Sequence, residues 1–186
     1  MRQMQGRLEG RPSLQAEWWD AWHDYRVLRR LGPQATRRYH RALMPLAYLQ
    51  GRVDFMGHKI RVKPPILIPR ADTAAWLEQA MPEMSPGSRI LEGSGCIAKV
   101  LSAHGHSVTA IDVDPRAVAL ARLNTHGQPV AILCADMFSA SIPGEYDWIV
   151  SNPPYIPERD WRRGRLGPSV CRWESRLALT PPVGVE

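Results

Sequence analysis

Arg89-Ile90-Leu91-Glu92-Gly93-Ser94-Gly95-Cys96-Ile97-Ala98 decides the reading of this chain: a short apolar run enters two glycines around a serine and continues into a helix-compatible segment. Glycines at such a junction let a ligand approach the backbone closely, and the following helix points its first amide N–H groups at it. Turns of this kind are common, so the stretch gains meaning from the pattern of residues downstream of it. Strand-like apolar runs are predicted at residues 89–91, 107–112, 129–134 and 146–151, with helices from 96 to about 104 and from 115 to about 124. Asp114 and Pro115 read as the cap and first residue of the second helix. The alternation predicts parallel strands with helical crossovers, the front half of an α/β, Rossmann-like domain.

Upstream, residues 14–31 carry Trp18, Trp22 and Tyr25 at helical spacing, and Gly32-Pro33 ends the pattern. The spacing predicts an amphipathic helix whose aromatic stripe packs on the neighbouring domain. A second helix is expected from 34 to about 43, with Arg37, Arg38 and Arg41 on a solvated face; a nucleic-acid patch is the alternative. Two apolar runs flanking Gly57-His58 predict a hairpin between Arg52 and Val62, closed by Pro64-Pro65. Asp72 is expected to cap a helix bearing Trp76, Leu77, Ala80 and Met81 on one face, stopped by Pro82. The chain thus divides into a helical region at 1–50, read as serving substrate recognition, a hairpin linker at 51–65 and the α/β domain at 66–186. Beyond Tyr155 it turns rich in Pro, Arg and Trp, with no further convincing strand-helix unit.

With 186 residues, 44% hydrophobic and 23% charged, the chain has room for one medium domain and a short helical appendage. A formal charge of +6 and a pI of 9.6 favour acidic partners, RNA and ribosome-associated surfaces among them, without selecting one. Cys96, Cys134 and Cys171 lie far apart without metal-ligand spacing, which points away from a disulfide framework and a zinc site. No apolar run is long enough for a bilayer and no secretory signal opens the chain, so no membrane role is expected. Arg2, Arg7 and Arg11 against a single Glu9 are compatible with a weak organelle-targeting segment or with a frayed terminus.

Chemistry concentrates at the ends of the predicted strands. Asp112, ending the second, can accept both ribose hydroxyls of a nucleoside, or cap the next helix together with Asp114. Asp136 after the third can accept from an adenine amino group with Met137 packing on the ring, or can form a turn. The decisive signal is Ser151-Asn152-Pro153-Pro154-Tyr155 after the fourth. Two prolines remove two amide donors and stiffen the loop, so carbonyl acceptors dominate. With the Asn152 side-chain oxygen and the Pro153 carbonyl accepting, both hydrogens of a planar NH2 group would be held and its nitrogen aimed at an electrophile. Tyr155 can stack on that planar group, and its ring face favours a cationic donor.

Asn152-Pro153-Pro154-Tyr155 resembles the signature of methyltransferases acting on adenine or glutamine NH2 groups. Pro45-Leu46-Ala47-Tyr48-Leu49-Gln50-Gly51, Phe55 and Ile66-Leu67-Ile68-Pro69-Arg70-Ala71-Asp72-Thr73 resemble the linker and domain entrance of the release-factor glutamine methyltransferase family (HemK/PrmC type). Ser94-Gly95-Cys96-Ile97-Ala98, Asp136-Met137-Phe138-Ser139-Ala140, residues 149–157 and Arg172-Trp173-Glu174-Ser175-Arg176-Leu177-Ala178-Leu179 continue the likeness in order, over roughly residues 37 to 180.

The resemblance implies an S-adenosyl-L-methionine-dependent transferase that methylates the glutamine of the Gly-Gly-Gln loop of a class I peptide chain release factor, acting as a monomer. Carried over by position, the donor lies against Gly93, Ser94, Gly95, Asp112, Asp136, Met137 and Asn152, and Asn152, Pro153, Pro154 and Tyr155 hold the substrate glutamine. Adenine-amino methylation of RNA or DNA, and a non-catalytic remnant or binding subunit, are the competing readings. Three departures bear on them. Glu92 abuts Gly93, where the family has about three residues more, a loss of up to about 10 Å of chain reach. Ala74 stands where the family has an acidic residue. The family's further strands after the Arg172–Leu179 segment are expected to be missing, leaving a C-terminally incomplete domain with an unpaired sheet edge. These departures and the arginine-bearing start suit a mitochondrial form, with the cytoplasm as the alternative.

Overall fold

The computed structural model describes residues 14–137 and 142–181, with residues 14–22 described by backbone alone. The arginine-bearing start, the side chains of Trp18 and Trp22, and Phe138-Ser139-Ala140 lie outside the described set. Helices α1 (Leu14–Leu31), α2 (Pro33–Ala42) and α3 (Leu46–Gln50) precede a hairpin of β1 (Arg52–Phe55) and β2 (His58–Arg61). Then come α4 (Ala71–Ala80), a 3-10 turn (Met81–Glu83), β3 (Arg89–Glu92), α5 (Cys96–Ala103), β4 (Ser107–Asp112), α6 (Pro115–Asn124), β5 (Val130–Cys134) and β6 (Trp148–Val150). Short helices α7 (Glu158–Arg162) and α8 (Pro168–Trp173) and a 3-10 turn (Arg176–Ala178) end the described chain.

The four-stranded sheet has the order β5-β4-β3-β6 and is parallel throughout. Parallel pairing follows from the crossovers, which carry the chain back along the sheet before the next strand begins. Ile97, Val100 and Leu101 of α5 and Leu77 of α4 are fully buried around Ile90 of β3, each such side chain contributing about 1.5–3 kcal/mol. This is the Rossmann-like α/β fold that the sequence predicts. The hairpin is not a free linker: Phe55, Ile60 and Val62 belong to the same core cluster as Tyr48 and the sheet residues Val108 and Val150.

Two local expectations are corrected. Arg70, not Asp72, precedes α4 and gives it no side-chain cap, and Asp72 lies in the first turn, where its charge still favours the helix N-terminus. Helix α4 ends at Ala80, and Pro82 lies inside the following 3-10 turn. By contrast, Asp114 caps α6 as expected, accepting from the Arg116 amide at 2.8 Å. Helices α7 and α8 have no counterpart among the predicted elements.

Candidate functional site

From β3 the chain moves outward to β4 and β5, then returns to place β6 on the other flank of β3. The strand order therefore reverses at β3/β6, and the carboxyl ends of these two strands open a crevice of the kind in which α/β sheets bind ligands. Gly93 leaves β3 and Ser151-Asn152 leave β6 at that point, while Asp112 ends β4 and Asp136 follows β5. One cavity is lined by Gly93, Ser94, Asp112, Asp136, Met137 and Asn152-Pro153-Pro154. Most of the predicted site residues, gathered from four separate strand ends, thus face one space.

Asn152 is oriented from α4. Its side-chain NH2 donates to the Thr73 hydroxyl at 3.1 Å, and Thr73 is buried in the first turn of α4. With the nitrogen held by Thr73, the amide oxygen is the atom left to accept from a ligand. The rest of the wall is braced by an ion pair: Arg70 Nη2 donates to both carboxylate oxygens of Glu174, at 2.7 Å each, and Glu174 also accepts from the Ile68 amide at 3.3 Å. Ser175 N donates to Pro65 O at 2.7 Å and Ile156 N to Leu179 O at 2.9 Å, so residues 175–179 hold the domain entrance against the Asn152 loop. Glu158, which accepts from Arg162 and pairs with Arg176, fixes the far end of that loop, and these cations hold its carboxyl below the usual carboxylate range.

The glycine turn differs from its sequence reading. Glu92 is fully buried; it accepts from the Ser94 hydroxyl and, at 2.7 Å, from the Gly95 amide. Donors expected to face a ligand thus bind the chain's own carboxylate, because nothing separates Glu92 from the glycines. Burial pushes the Glu92 carboxyl up, against the opposing pull of these hydrogen bonds. The neighbouring Cys96 thiol is pushed up to about 12 by burial and by Glu92, so it stays protonated and is no nucleophile.

Gly95 is buried away from the cavity wall, and a side chain there would meet Ala121 Cβ at 2.6 Å. With φ of +80° it is a packing glycine that lets α5 approach α6. A side chain at Gly93 would meet Ser151 Oγ at 2.9 Å and Met137 Cε at 3.6 Å, so this glycine keeps the crevice open. Tyr155 is 71% exposed and does not line the cavity, since the stiff Pro153-Pro154 pair carries the chain out before it is reached. Gly95 and Tyr155 are therefore the two candidates that the structure does not bring to the wall.

Asp112 suits a nucleoside: it lines the cavity, and one of its oxygens accepts from the Asp114 amide at 2.8 Å, which fixes the carboxylate. Burial raises its pKa, with Asp114 adding repulsion. Sequence reasoning assigned no role to Thr73, Arg70 or Glu174. Opposite charges in two motif segments were the one available signal for the last two.

Comparison with known proteins gives the chain's sequence relatives. Residues 76–163 match a family model described as the methyltransferase small domain. A release factor glutamine methyltransferase from Chlorobaculum tepidum is 40% identical over 162 residues, covering 76% of this chain and 54% of that protein. One from Cereibacter sphaeroides is 36% identical over 169 residues, covering 81% and 58%. Among solved structures, the Pyrococcus abyssi tRNA (uracil-54, C5)-methyltransferase in complex with S-adenosyl-L-homocysteine aligns over 64% of this chain and 29% of its own, with a TM-score of 0.48 and 18% identity. By sequence, therefore, the chain is similar to release factor glutamine methyltransferases over most of its own length, and it spans about half the length of the curated relatives it matches.

Proposed function

We propose that this chain transfers a methyl group from S-adenosyl-L-methionine to the side-chain amide nitrogen of the glutamine in the Gly-Gly-Gln loop of a peptide chain release factor. The observation that carries the reading is the meeting of Asp112, Met137 and Gly93 with Asn152-Pro153-Pro154 in one cavity at the strand-order reversal. The similarity to proteins named release factor glutamine methyltransferase supports the choice of substrate.

Asp112 accepts from the ribose hydroxyls, Asp136 from the adenine amino group, and Met137 packs on the purine. Gly93, lacking a side chain, leaves room for the methionine end of the donor. Bound there, S-adenosyl-L-methionine supplies a sulfonium methyl group, which passes to the nitrogen while sulfur keeps the bonding pair and S-adenosyl-L-homocysteine remains. An amide nitrogen is a weak nucleophile because its lone pair is delocalised into the carbonyl. Asn152 Oδ1, turned outward by Thr73, and the Pro153 carbonyl each accept one amide hydrogen and aim the nitrogen at the methyl carbon. Such positioning is worth roughly 7–11 kcal/mol where the geometry is near attack. The nitrogen releases its extra proton to solvent, so no general base is needed before transfer.

Incubation of the chain with radiolabelled donor, a release factor and its Gln-to-Ala variant tests the proposal. Label on the first protein alone is expected, and equal label on both removes the reading. Label on nucleic acid but not protein would transfer the same loop chemistry to an adenine amino group. The Glu92 carboxylate bound to the turn donors favours a second reading, a binding subunit without activity. Calorimetric titration separates the two: micromolar donor affinity supports the enzyme, and absence of binding at millimolar donor supports the subunit.

A further inference from the structure

A second cleft lies where the β1–β2 hairpin meets α5 and α6. Arg52, Lys59, Arg61, Lys99 and His126 line it, and among the described residues no carboxylate does. Arg61 and Asn124 also border the donor cavity, whereas Arg52, Lys59, Lys99 and His126 border this cleft alone. Arg52 and Arg61 are direct partners across the antiparallel ladder, an arrangement in which like charges repel and destabilise the pair. Lys59 is balanced by Asp54 at 2.9 Å, but among the described residues neither arginine has an ion-pair partner. Lys99 Nζ donates to the Lys59 carbonyl at 3.2 Å, which draws a further positive charge against the hairpin.

The protein holds this unfavourable cluster in place. Asn124, buried at the end of α6, accepts from the Arg61 amide at 2.8 Å and donates to the Arg61 carbonyl at 3.0 Å, clamping β2 to the helix. An anion in the cleft would offset the repulsion. Protein interfaces rest on buried aromatic and aliphatic anchors, and among the described residues the cleft offers only Leu123, itself 60% exposed. A phosphodiester backbone needs cations in a groove and no apolar anchor.

We propose that the cleft bounded by Arg52, Arg61 and Lys99 binds the phosphate backbone of a nucleic-acid strand, without reading its sequence or its sugar. The proposal is independent of the methyl-transfer reading. The test is fluorescence anisotropy of labelled 12-nucleotide single-stranded RNA and DNA of one sequence with the full chain, across a salt series. Both strands are expected to bind within about threefold of each other, with Kd in the range of about 10⁻⁴ to 10⁻⁶ M at physiological salt. The double variant Arg52→Glu/Lys99→Glu, which leaves the donor cavity untouched, is expected to lose about tenfold or more. Its slope of log K against log salt should be shallower by about 1.4, or about 0.7 per lost contact. Arg37→Glu/Arg41→Glu changes net charge equally on exposed positions of α2 and is expected to stay within about threefold of the parent chain.

Equal loss in the two double variants would reduce the effect to net charge and overturn the site, as would absence of binding to either strand. Equally tight binding of a polyglutamate peptide of matched length would also overturn it, in favour of an acidic protein partner. Should the reversal variant lose its circular-dichroism signature, Arg52→Gln replaces it: a loss of about threefold supports the site, and unchanged affinity overturns it.

Discussion

The hydrogen bond from Asn152 to Thr73 makes a residue far from the proline loop responsible for which end of an amide faces a ligand. Thr73→Val keeps the shape and removes the acceptor, leaving the Asn152 amide free to turn its NH2 group towards the substrate nitrogen, whose two hydrogens need acceptors. In single-turnover assays the rate of methyl transfer is expected to fall about tenfold, the equivalent of one hydrogen bond of about 1.4 kcal/mol. Donor affinity should change less than about threefold, and Thr73→Ser should recover most of the rate. A packing role alone would give no recovery in serine, which lacks the methyl group. Asp112 governs a different measurement. In the proposed donor site its carboxylate would accept two ribose hydroxyls in the ionised form, and burial raises its pKa from the ordinary 3.8, so protonation begins at a higher pH than for an exposed aspartate. Donor affinity measured by calorimetry should therefore fall on acidification, earlier than an ordinary carboxylate would dictate. Asp112→Asn should weaken binding by about 1.5–3 kcal/mol, the worth of hydrogen bonds to a charged group, and abolish this pH dependence.

Among the elements, the β3–α5 turn shows where the sequence was legible and where it was not. The apolar run of β3 and the glycines after it are plain in the residue pattern, and the predicted strands at 107–112 and 129–134 lie within one residue of β4 and β5. Long-range geometry was not legible: nothing local says that Glu92 folds onto the amide of Gly95. Strand β6 is shorter than predicted: at its start the Asp147 amide still donates to the Arg89 carbonyl at 2.8 Å, while the Asp147 carboxylate takes the Arg89 amide at 2.7 Å. Helices α7 and α8 carry tryptophans and arginines without a clear apolar face, so no periodicity announces them; α7 is held by ion pairs such as Arg165–Asp160, at 2.8 Å, and α8 by the hydrogen bond from Trp173 to the Ala42 carbonyl, at 2.8 Å. The raised pKa of Glu92 gives this element a measurable signature. Between its unfolded value near 4.5 and its higher folded value the native state holds the extra proton, so this group's contribution to stability is present at low pH and is lost as pH rises through the folded pKa. Glu92→Gln removes that dependence. The stability of the parent chain relative to the variant is therefore expected to grow as pH falls from 7 towards 4.5, and a constant difference in melting temperature would refute the assignment. Across the cavity, Arg70→Met leaves the Glu174 carboxylate, 1% exposed, with the Ile68 amide as its remaining partner. Breaking a buried pair from one side costs about 3–5 kcal/mol, and the lower end is expected in urea unfolding because Arg70 is itself 37% exposed.

For the whole molecule, the question is whether the helical region and the α/β domain behave as one body. The core cluster runs without interruption from Tyr48 through Phe55, Ile60 and Val62 of the hairpin to Ile90, Val108 and Val150 of the sheet. Two hydrogen bonds reinforce the join: Tyr48 Oη donates to the Ile66 carbonyl at 2.6 Å and Trp173 Nε1 to the Ala42 carbonyl at 2.8 Å. The second runs from α8, next to the Glu174 brace of the cavity, to the last residue of α2, so the region read as substrate-recognising is tied directly to the wall of the site. A shared core implies that neither part loses its apolar contacts without exposing those of the other, which is the condition for a single cooperative transition. Urea unfolding followed by tryptophan fluorescence and by far-ultraviolet circular dichroism should give coincident curves. Trp173→Phe keeps an aromatic ring and deletes one N–H donor, so it is expected to lower stability by about 1 kcal/mol while leaving the two curves superimposed. If the fluorescence transition of the parent chain instead preceded the loss of helix, the two parts would be separable bodies, and the coupling between α2 and the cavity wall would have to be abandoned.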